Sequence, residues 1–144
     1  MANLVYTSYL YDLASGTVNL MTDPLYVMLL SGTYFPNAAH STVADVSVHQ
    51  TVDPLGSYVS GGKQLQGKTL SIVGGELTLN ASATAWTTAT ITASGAVVYY
   101  SGGSADTAKK LITYIDIGGN QTSTNGTFQI TWNTTTGILR LGAS

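Results

Sequence analysis

The stretch from Ala85 to Tyr100 constrains the fold more than any other part of the sequence. Small or apolar side chains alternate with larger or polar ones in its first half, where Ala89, Ile91 and Ala93 share one face. A period of two is typical of a half-buried strand and excludes a helix. Ser94-Gly95 has turn chemistry, and the residues after it are β-branched or aromatic. We therefore predict a hairpin that turns at Ser94-Gly95 in the centre of an all-β domain.

Further strands follow from the same kind of pattern. Leu25–Leu30 is an unbroken apolar run, which predicts a central strand that is covered on both faces. Gly74-Gly75 predicts a two-residue hairpin loop. The segment Gly118–Asn125 predicts a longer polar loop. The remaining predicted strands are Thr17–Met21, Thr69–Val73, Glu76–Asn80, Leu111–Ile117, Thr127–Trp132 and Ile138–Leu141. Residues 1–144 thus predict a single, mainly β domain, a β-sandwich or partly open barrel of about nine antiparallel strands.

The N-terminal residues predict one short helix, from Val5 to Ala14. Its apolar face would contain Tyr6, Leu10, Leu13 and Ala14, which are three or four residues apart. Asn3 could cap the start, and Ser15-Gly16 would end it. Residues 1–16 would then form an arm that packs on the domain or on a neighbouring subunit. Tyr9 and Tyr11, expected to point outward, favour the neighbour, because tyrosine is frequent in interfaces.

Charged residues are unusually scarce, at 8% of the chain, and the net charge is −2. The five basic residues are scattered, which argues against nucleic-acid binding and against a polybasic membrane surface. No secretory signal or membrane-length apolar run is visible. Because a surface with few charges resists self-association poorly, we expect a homo-oligomer.

The residues needed for common enzymatic sites do not occur in recognisable patterns. His40 and His49 are the only histidines, and no Gly-x-Ser-x-Gly motif is present. Most of the carboxylates lie at expected turns. Asp116 lies within a strand, where we expect it to point outward or to bond to a nearby loop. We predict no catalytic residue, no metal ligand, no cofactor and no small-molecule substrate.

One segment partly matches a phosphate-binding loop. Gly62 precedes Gly67-Lys68-Thr69 at the spacing that this motif requires. The residues after Lys68 have strand character, however, so no helix N-terminus would be available to a phosphate. The sequence therefore argues against nucleotide binding.

Several motifs together resemble a family of small structural proteins of tailed bacteriophages. They are Tyr-Leu-x-x-Leu-Ala-x-Gly at 9–16, Leu-Tyr-Val-Met-Leu-Leu-Ser-Gly-Thr-Tyr-Phe-Pro-Asn at 25–37, Gly61-Gly62-Lys63 with Gly67-Lys68-Thr69, Ala85-Trp86 through Val97-Val98-Tyr99, Tyr114-Ile-Asp-Ile-Gly-Gly and Asn125-Gly-Thr-Phe-x-Ile-x-Trp. The resemblance covers nearly the whole chain. It implies a non-enzymatic virion component, assembled in the host cytoplasm. A capsid decoration (cement) protein that binds the major capsid protein or other virion proteins is the leading expectation.

The resemblance carries over no functional residue, so the interface candidates rest on aromatic side chains that look exposed. They are Tyr9, Tyr11, Tyr34, Phe35, Tyr58 and Tyr99. Other hypotheses remain. The chain could be a tail or head-completion protein, or a receptor- or glycan-binding module with Trp86, Tyr99 and Tyr100 in one groove. A small enzyme would require Asp116 and another acid, or a histidine, to converge in a pocket.

Overall fold

The computed structural model describes residues 4–103, 105–132 and 137–142, which form two antiparallel sheets and one short α-helix. The elements in chain order are β1 (Leu4–Val5), α1 (Thr7–Ser15), β2 (Leu25–Leu30), β3 (Lys63–Gln64), β4 (Thr69–Val73), β5 (Glu76–Asn80), β6 (Thr84–Ser101), β7 (Lys109–Ile130) and β8 (Leu139–Gly142). Short 3-10 helices lie at Val43–Asp45, Ser47–His49 and Asp106–Ala108. The larger sheet has the order β1-β7-β6-β2-β3 and the smaller one β4-β5-β8. The predicted mainly β fold with one short N-terminal helix is confirmed.

The larger sheet is covered on both faces, and strand β2 shows why its sequence is apolar throughout. Leu25, Val27 and Leu29 point into one core, which lies between the two sheets and includes Leu79 and Leu139 of the smaller sheet. Met28 and Leu30 point into a second core on the opposite face. The prediction that Leu25–Leu30 is a strand buried on both faces is therefore confirmed.

The predicted hairpin turn at Ser94-Gly95 is wrong, because β6 runs straight through it. Gly95 pairs with Asp116 of β7, and an irregularity in the pairing lies between Ala93 and Gly95. A Cβ on Gly95 would lie 2.3 Å from the Tyr114 hydroxyl oxygen and 2.5 Å from its Cε1. The glycine is thus required because the Tyr114 ring lies across it, which is a known way to cover a glycine within a sheet.

Strand β7 likewise merges two predicted strands, Leu111–Ile117 and Thr127–Trp132, across the predicted loop at Gly118–Asn125. The pairing with β6 jumps from Gly95↔Asp116 to Ala93↔Gln121, so Gly118 and Gly119 lie in a wide bulge with φ of 86° and 90°. The predicted loop at Gly118–Asn125 is therefore wrong, because its glycines produce a bulge within one strand.

Two further predictions need correction. Thr17–Met21 forms no strand, because Asn19 and Asp23 accept backbone N–H groups and stabilise a turn there. The described residues contain eight strands instead of the predicted nine. Strands β6 and β7 each combine two predicted strands and Thr17–Met21 is not a strand, whereas the short strands β1 and β3 were not predicted. The hairpin across Gly74-Gly75 is confirmed, with Val73 paired to Glu76.

The helix extends from Thr7 to Ser15, and its C-cap Gly16 has a φ of 79°, the left-handed conformation that favours glycine. The predicted cap, Asn3, lies outside the described residues. The predicted apolar face is wrong: Leu10 and Leu13 are exposed, whereas Tyr9 and Asp12 face inward.

Thr88 is the non-glycine residue of β6 with a positive φ, 51°, and it lies in the bulge between the paired residues Trp86 and Ala89. Since a β-branched residue is disfavoured there, we predict that Thr88→Gly raises the free energy of unfolding by about 0.5–1 kcal/mol. Thr87→Gly, in the same strand without a positive φ, should lower it by about 0.5–1 kcal/mol. Urea denaturation of both variants measures the difference. Equal destabilisation by the two changes would contradict the assignment of strain to Thr88.

Candidate functional site

The connection between β2 and β3, residues 31–62, is the longest segment without regular strands in the described chain. We call it the β2–β3 loop. Loops of this length in a compact domain are usually functional. Its exposed apolar side chains are Phe35 (80% exposed), Val48 (81%), Val52 (80%), Leu55 and Val59. The candidate site of this protein is therefore the β2–β3 loop with its exposed apolar side chains.

Asp53 organises the central part of this loop. Its carboxylate accepts four backbone N–H groups, from Leu55, Ser57 and Tyr58 in the loop and from Thr90 in β6, at 2.9 to 3.0 Å. Burial alone would raise the pKa of Asp53, but these four donors stabilise the charged form and lower the pKa below its usual value. Asp53 therefore fixes both the turn of the loop and its position on β6.

A second set of bonds ties the loop to β2. The buried Tyr58 hydroxyl accepts the backbone N–H of Leu29 at 2.9 Å and donates to the side-chain oxygen of Gln50 at 2.8 Å. Thr51 bonds to Leu29 through its backbone and to the carbonyl of Thr92 through its hydroxyl. The exposed valines are thus presented by a fixed backbone, so a partner that binds them need not order the loop.

Helix α1 carries a second exposed apolar set. Leu10 is 50% exposed and Tyr11 74% exposed, and Leu13 points outward as well, while Asp12 is buried. This is the reverse of the usual arrangement on the surface of a domain. The Tyr9 hydroxyl and one oxygen of Asp12 are buried without a hydrogen-bond partner in the described part of the chain, which is unfavourable. The outward face of α1 therefore has the composition of a contact surface.

Only two of the six interface candidates are exposed. Tyr11 and Phe35 lie on the two apolar surfaces just described. The expectation of exposure is wrong for the other four, which are at least 95% buried: Tyr9, Tyr34, Tyr58 and Tyr99. Each of these four contributes its ring to one of the two cores. A side chain buried in this way cannot contact a partner without unfolding.

The buried tyrosines serve as internal connectors. The Tyr34 hydroxyl bonds to the Tyr6 hydroxyl at 2.8 Å and to Nδ1 of His40 at 2.9 Å, and its ring lies 5.4 Å from that of His49. Burial raises the pKa of Tyr34 and Tyr6 above the ordinary tyrosine value. Tyr99 bonds to the carbonyl of Gly61, and burial raises its pKa to about 12. These hydroxyls stay protonated at neutral pH and hold the β2–β3 loop on the sheet.

The alternative groove of Trp86, Tyr99 and Tyr100 is not formed. Trp86 packs in the core between the sheets, in ring contact with Tyr58 and Phe128. Tyr99 packs in the core on the opposite face of the same sheet. Aromatic rings on opposite faces cannot line one binding groove, so this support for a glycan-binding module is lost.

The histidines and carboxylates do not form a triad among the described residues. Asp45 accepts the backbone N–H groups of Ser41 and Thr42, which lower its pKa, while His49 bonds to Thr33. Asp116 is half-buried, and the Gly118 N–H that donates to it lowers its pKa. Within the described ranges, no group of three or more histidine, aspartate or glutamate side chains could hold a metal ion.

Lys68 precedes a strand, as the sequence indicated, since β4 begins at Thr69. Its ammonium group donates to the carbonyl of Asp23, and burial lowers its pKa. The phosphate-loop geometry, with a helix after the lysine, is therefore absent at this described segment. No helix in the described part of the chain is long and apolar enough to cross a membrane.

No protein-family model, curated protein or solved structure matches this chain.

The lowered pKa of Asp53 should make the free energy of unfolding depend on pH. Because its pKa is lowered in the folded state, its contribution is complete above the unfolded value of about 3.9 and is lost as the pH falls through the folded value. We expect Asp53→Asn to lower the urea midpoint at pH 7 and to flatten the decline of stability below pH 4. Asp106→Asn, an exposed carboxylate, is the control. Urea titrations from pH 2 to 7 measure both effects, and an unchanged acid decline in Asp53→Asn would contradict the role of this carboxylate.

Proposed function

We propose that the chain is a non-enzymatic structural protein of a tailed bacteriophage virion, specifically a capsid decoration protein that binds the head lattice as an oligomer. The observation that carries the proposal is the fixed β2–β3 loop, which exposes Phe35, Val48 and Val52 on a surface with few charges. The outward face of α1 adds a second apolar surface. The motif resemblance described above supplies the virion context.

The chemistry of these surfaces suits a repeated lattice. A decoration protein must form many equivalent contacts, each with a small area, and its own copies commonly associate symmetrically. Apolar side chains on a rigid loop supply such contacts without a large ordering cost. They also make the affinity depend on buried area more than on charge.

A tail or head-completion protein is the structural alternative, and it would be present in far fewer copies per particle. We predict that purified particles contain hundreds of copies, in a simple ratio to the major capsid protein. Quantitative mass spectrometry measures this ratio. A few copies, in sixes or twelves, would place the protein on the tail axis, and absence from particles would overturn the virion role.

The role of the loop surface can be tested with one side chain. Phe35→Ser removes an exposed ring, and we expect it to weaken binding to particles that lack the protein by about 10- to 100-fold, since a buried phenylalanine contributes about 1.5–3 kcal/mol. Ile72→Ser, a comparably exposed residue on β4, is the matched control and should bind normally. Equal binding by Phe35→Ser and the natural sequence would exclude this surface.

Salt distinguishes this mechanism from electrostatic binding. The β2–β3 loop contains only two charged side chains, Asp45 and Asp53, and both carboxylates accept backbone N–H groups. We expect the affinity for such particles to change less than about threefold between 50 and 500 mM NaCl, although exposed charges are largely screened at the higher value. A decrease of about tenfold or more, measured by co-sedimentation of the protein with the particles, would show that charge dominates.

A further inference from the structure

Strand β7 has a long outer edge with which no described residue pairs. Its first part is covered, because β1 pairs with Thr113 and Tyr114 and the segment around Thr42 pairs with Lys110. From Gln121 to Ile130 β7 pairs with β6 on one side only, and no described residue pairs with the other side. We propose that this edge pairs antiparallel with the same edge of a second copy, so that the two larger sheets become one continuous sheet in a dimer.

A groove of about 730 Å³ lies beside this part of β7. Its lining includes the largely buried Phe128, Ile130 and Trp132, and Asp116 at its other end. Its exposed side chains within 121–131 are polar and uncharged, namely Gln121, Thr122, Thr127, Gln129 and Thr131. An incoming strand would thus find unpaired backbone groups beside neutral side chains, and main-chain hydrogen bonds supply the affinity in strand addition.

The absence of both charge and loop contacts distinguishes this edge. Proteins usually protect an edge strand with lysine, proline or another charge. Lys63 lies in the edge strand β3, and Arg140 lies in the edge strand β8. The far side of β6 at 84–93 also lacks charge, but Asp53, Ser57 and Thr51 of the β2–β3 loop bond to its backbone. Residues 117–132 contain no charged residue and no proline, and no described residue pairs with the outer side of 121–130.

The same pattern favours a second copy over a different protein. Two identical antiparallel edges related by a two-fold axis repeat each hydrogen bond, so the edge complements itself. Threonine side chains opposite one another stabilise such pairs, whereas like charges would oppose them. Because this edge contains only neutral side chains, self-pairing involves no repulsion. A charged partner strand would gain no complementary charge here.

The dimer specifies the oligomer of the proposed function, and it rests on that part of the proposal alone. It uses the β7 edge, whereas lattice binding uses the β2–β3 loop. A chain that dimerises in solution but is missing from particles would retain this inference and lose the virion role. A chain that is monomeric in solution but present in hundreds of copies per particle would retain the virion role and lose the dimer.

The test compares two single lysine substitutions. Thr122→Lys places a charge on the exposed β7 edge, and Ser71→Lys places the same charge on the exposed edge of β4. Analytical ultracentrifugation of the full chain should show twice the 15.0 kDa monomer mass at high concentration. We expect Thr122→Lys to raise the dissociation constant at least about tenfold and Ser71→Lys to leave it unchanged.

Three results would overturn the proposal: a monomer at every concentration, a dimer that Thr122→Lys does not weaken, and a dimer that only Ser71→Lys weakens. Hydrogen exchange of the natural chain gives a second readout that does not depend on a variant folding. The amides of residues 121–130 should become protected as the concentration rises through the dissociation constant. Protection that appears elsewhere, and not in β7, would place the interface on a different surface.

Discussion

The pairing of β6 with β7 is the interaction on which the rest of the structure depends. These are the two longest strands, and their ladder extends from Thr84↔Ile130 to Ser101↔Lys109. Their side chains fill both cores, with Ile91 and Val98 on one face and Val97 and Tyr99 on the other. Every other layer is attached to this pair, because the smaller sheet covers one face and the β2–β3 loop covers the opposite face and an edge.

The irregular part of this ladder lies where the β2–β3 loop is attached to β6. Thr88 and Asn125 have positive φ at neighbouring bulges, and Ser123 restores the interrupted bonding by donating to the carbonyl of Ala89 and accepting the N–H of Ile91. The N–H of Thr90, next to these bulges, donates to Asp53 of the loop. The loop that carries the exposed valines is thus bonded to β6 at this irregular region.

Local patterns in the sequence predict the parts of the fold that local chemistry determines. Alternation identifies β6, the unbroken run identifies β2, and Gly74-Gly75 identifies its hairpin. The sequence fails where a distant residue decides the outcome: Gly95 resembles a turn because the Tyr114 ring that covers it is far along the chain. The predicted exposure of Tyr9, Tyr34, Tyr58 and Tyr99 is wrong for the same reason, because residues far along the chain bury them. The exposure of Val48 and Val52 could not be predicted, since nothing in the sequence distinguishes a valine in an exposed loop from one in a buried strand.

Cryo-electron microscopy of purified particles would show both the position of the protein on the virion and the face with which it binds. We expect a β-rich domain repeated across the head surface, with Phe35, Val48 and Val52 in contact with the shell. Density only along the tail axis would contradict the decoration role. A domain on the head with the β2–β3 loop facing solvent would contradict the proposed binding surface.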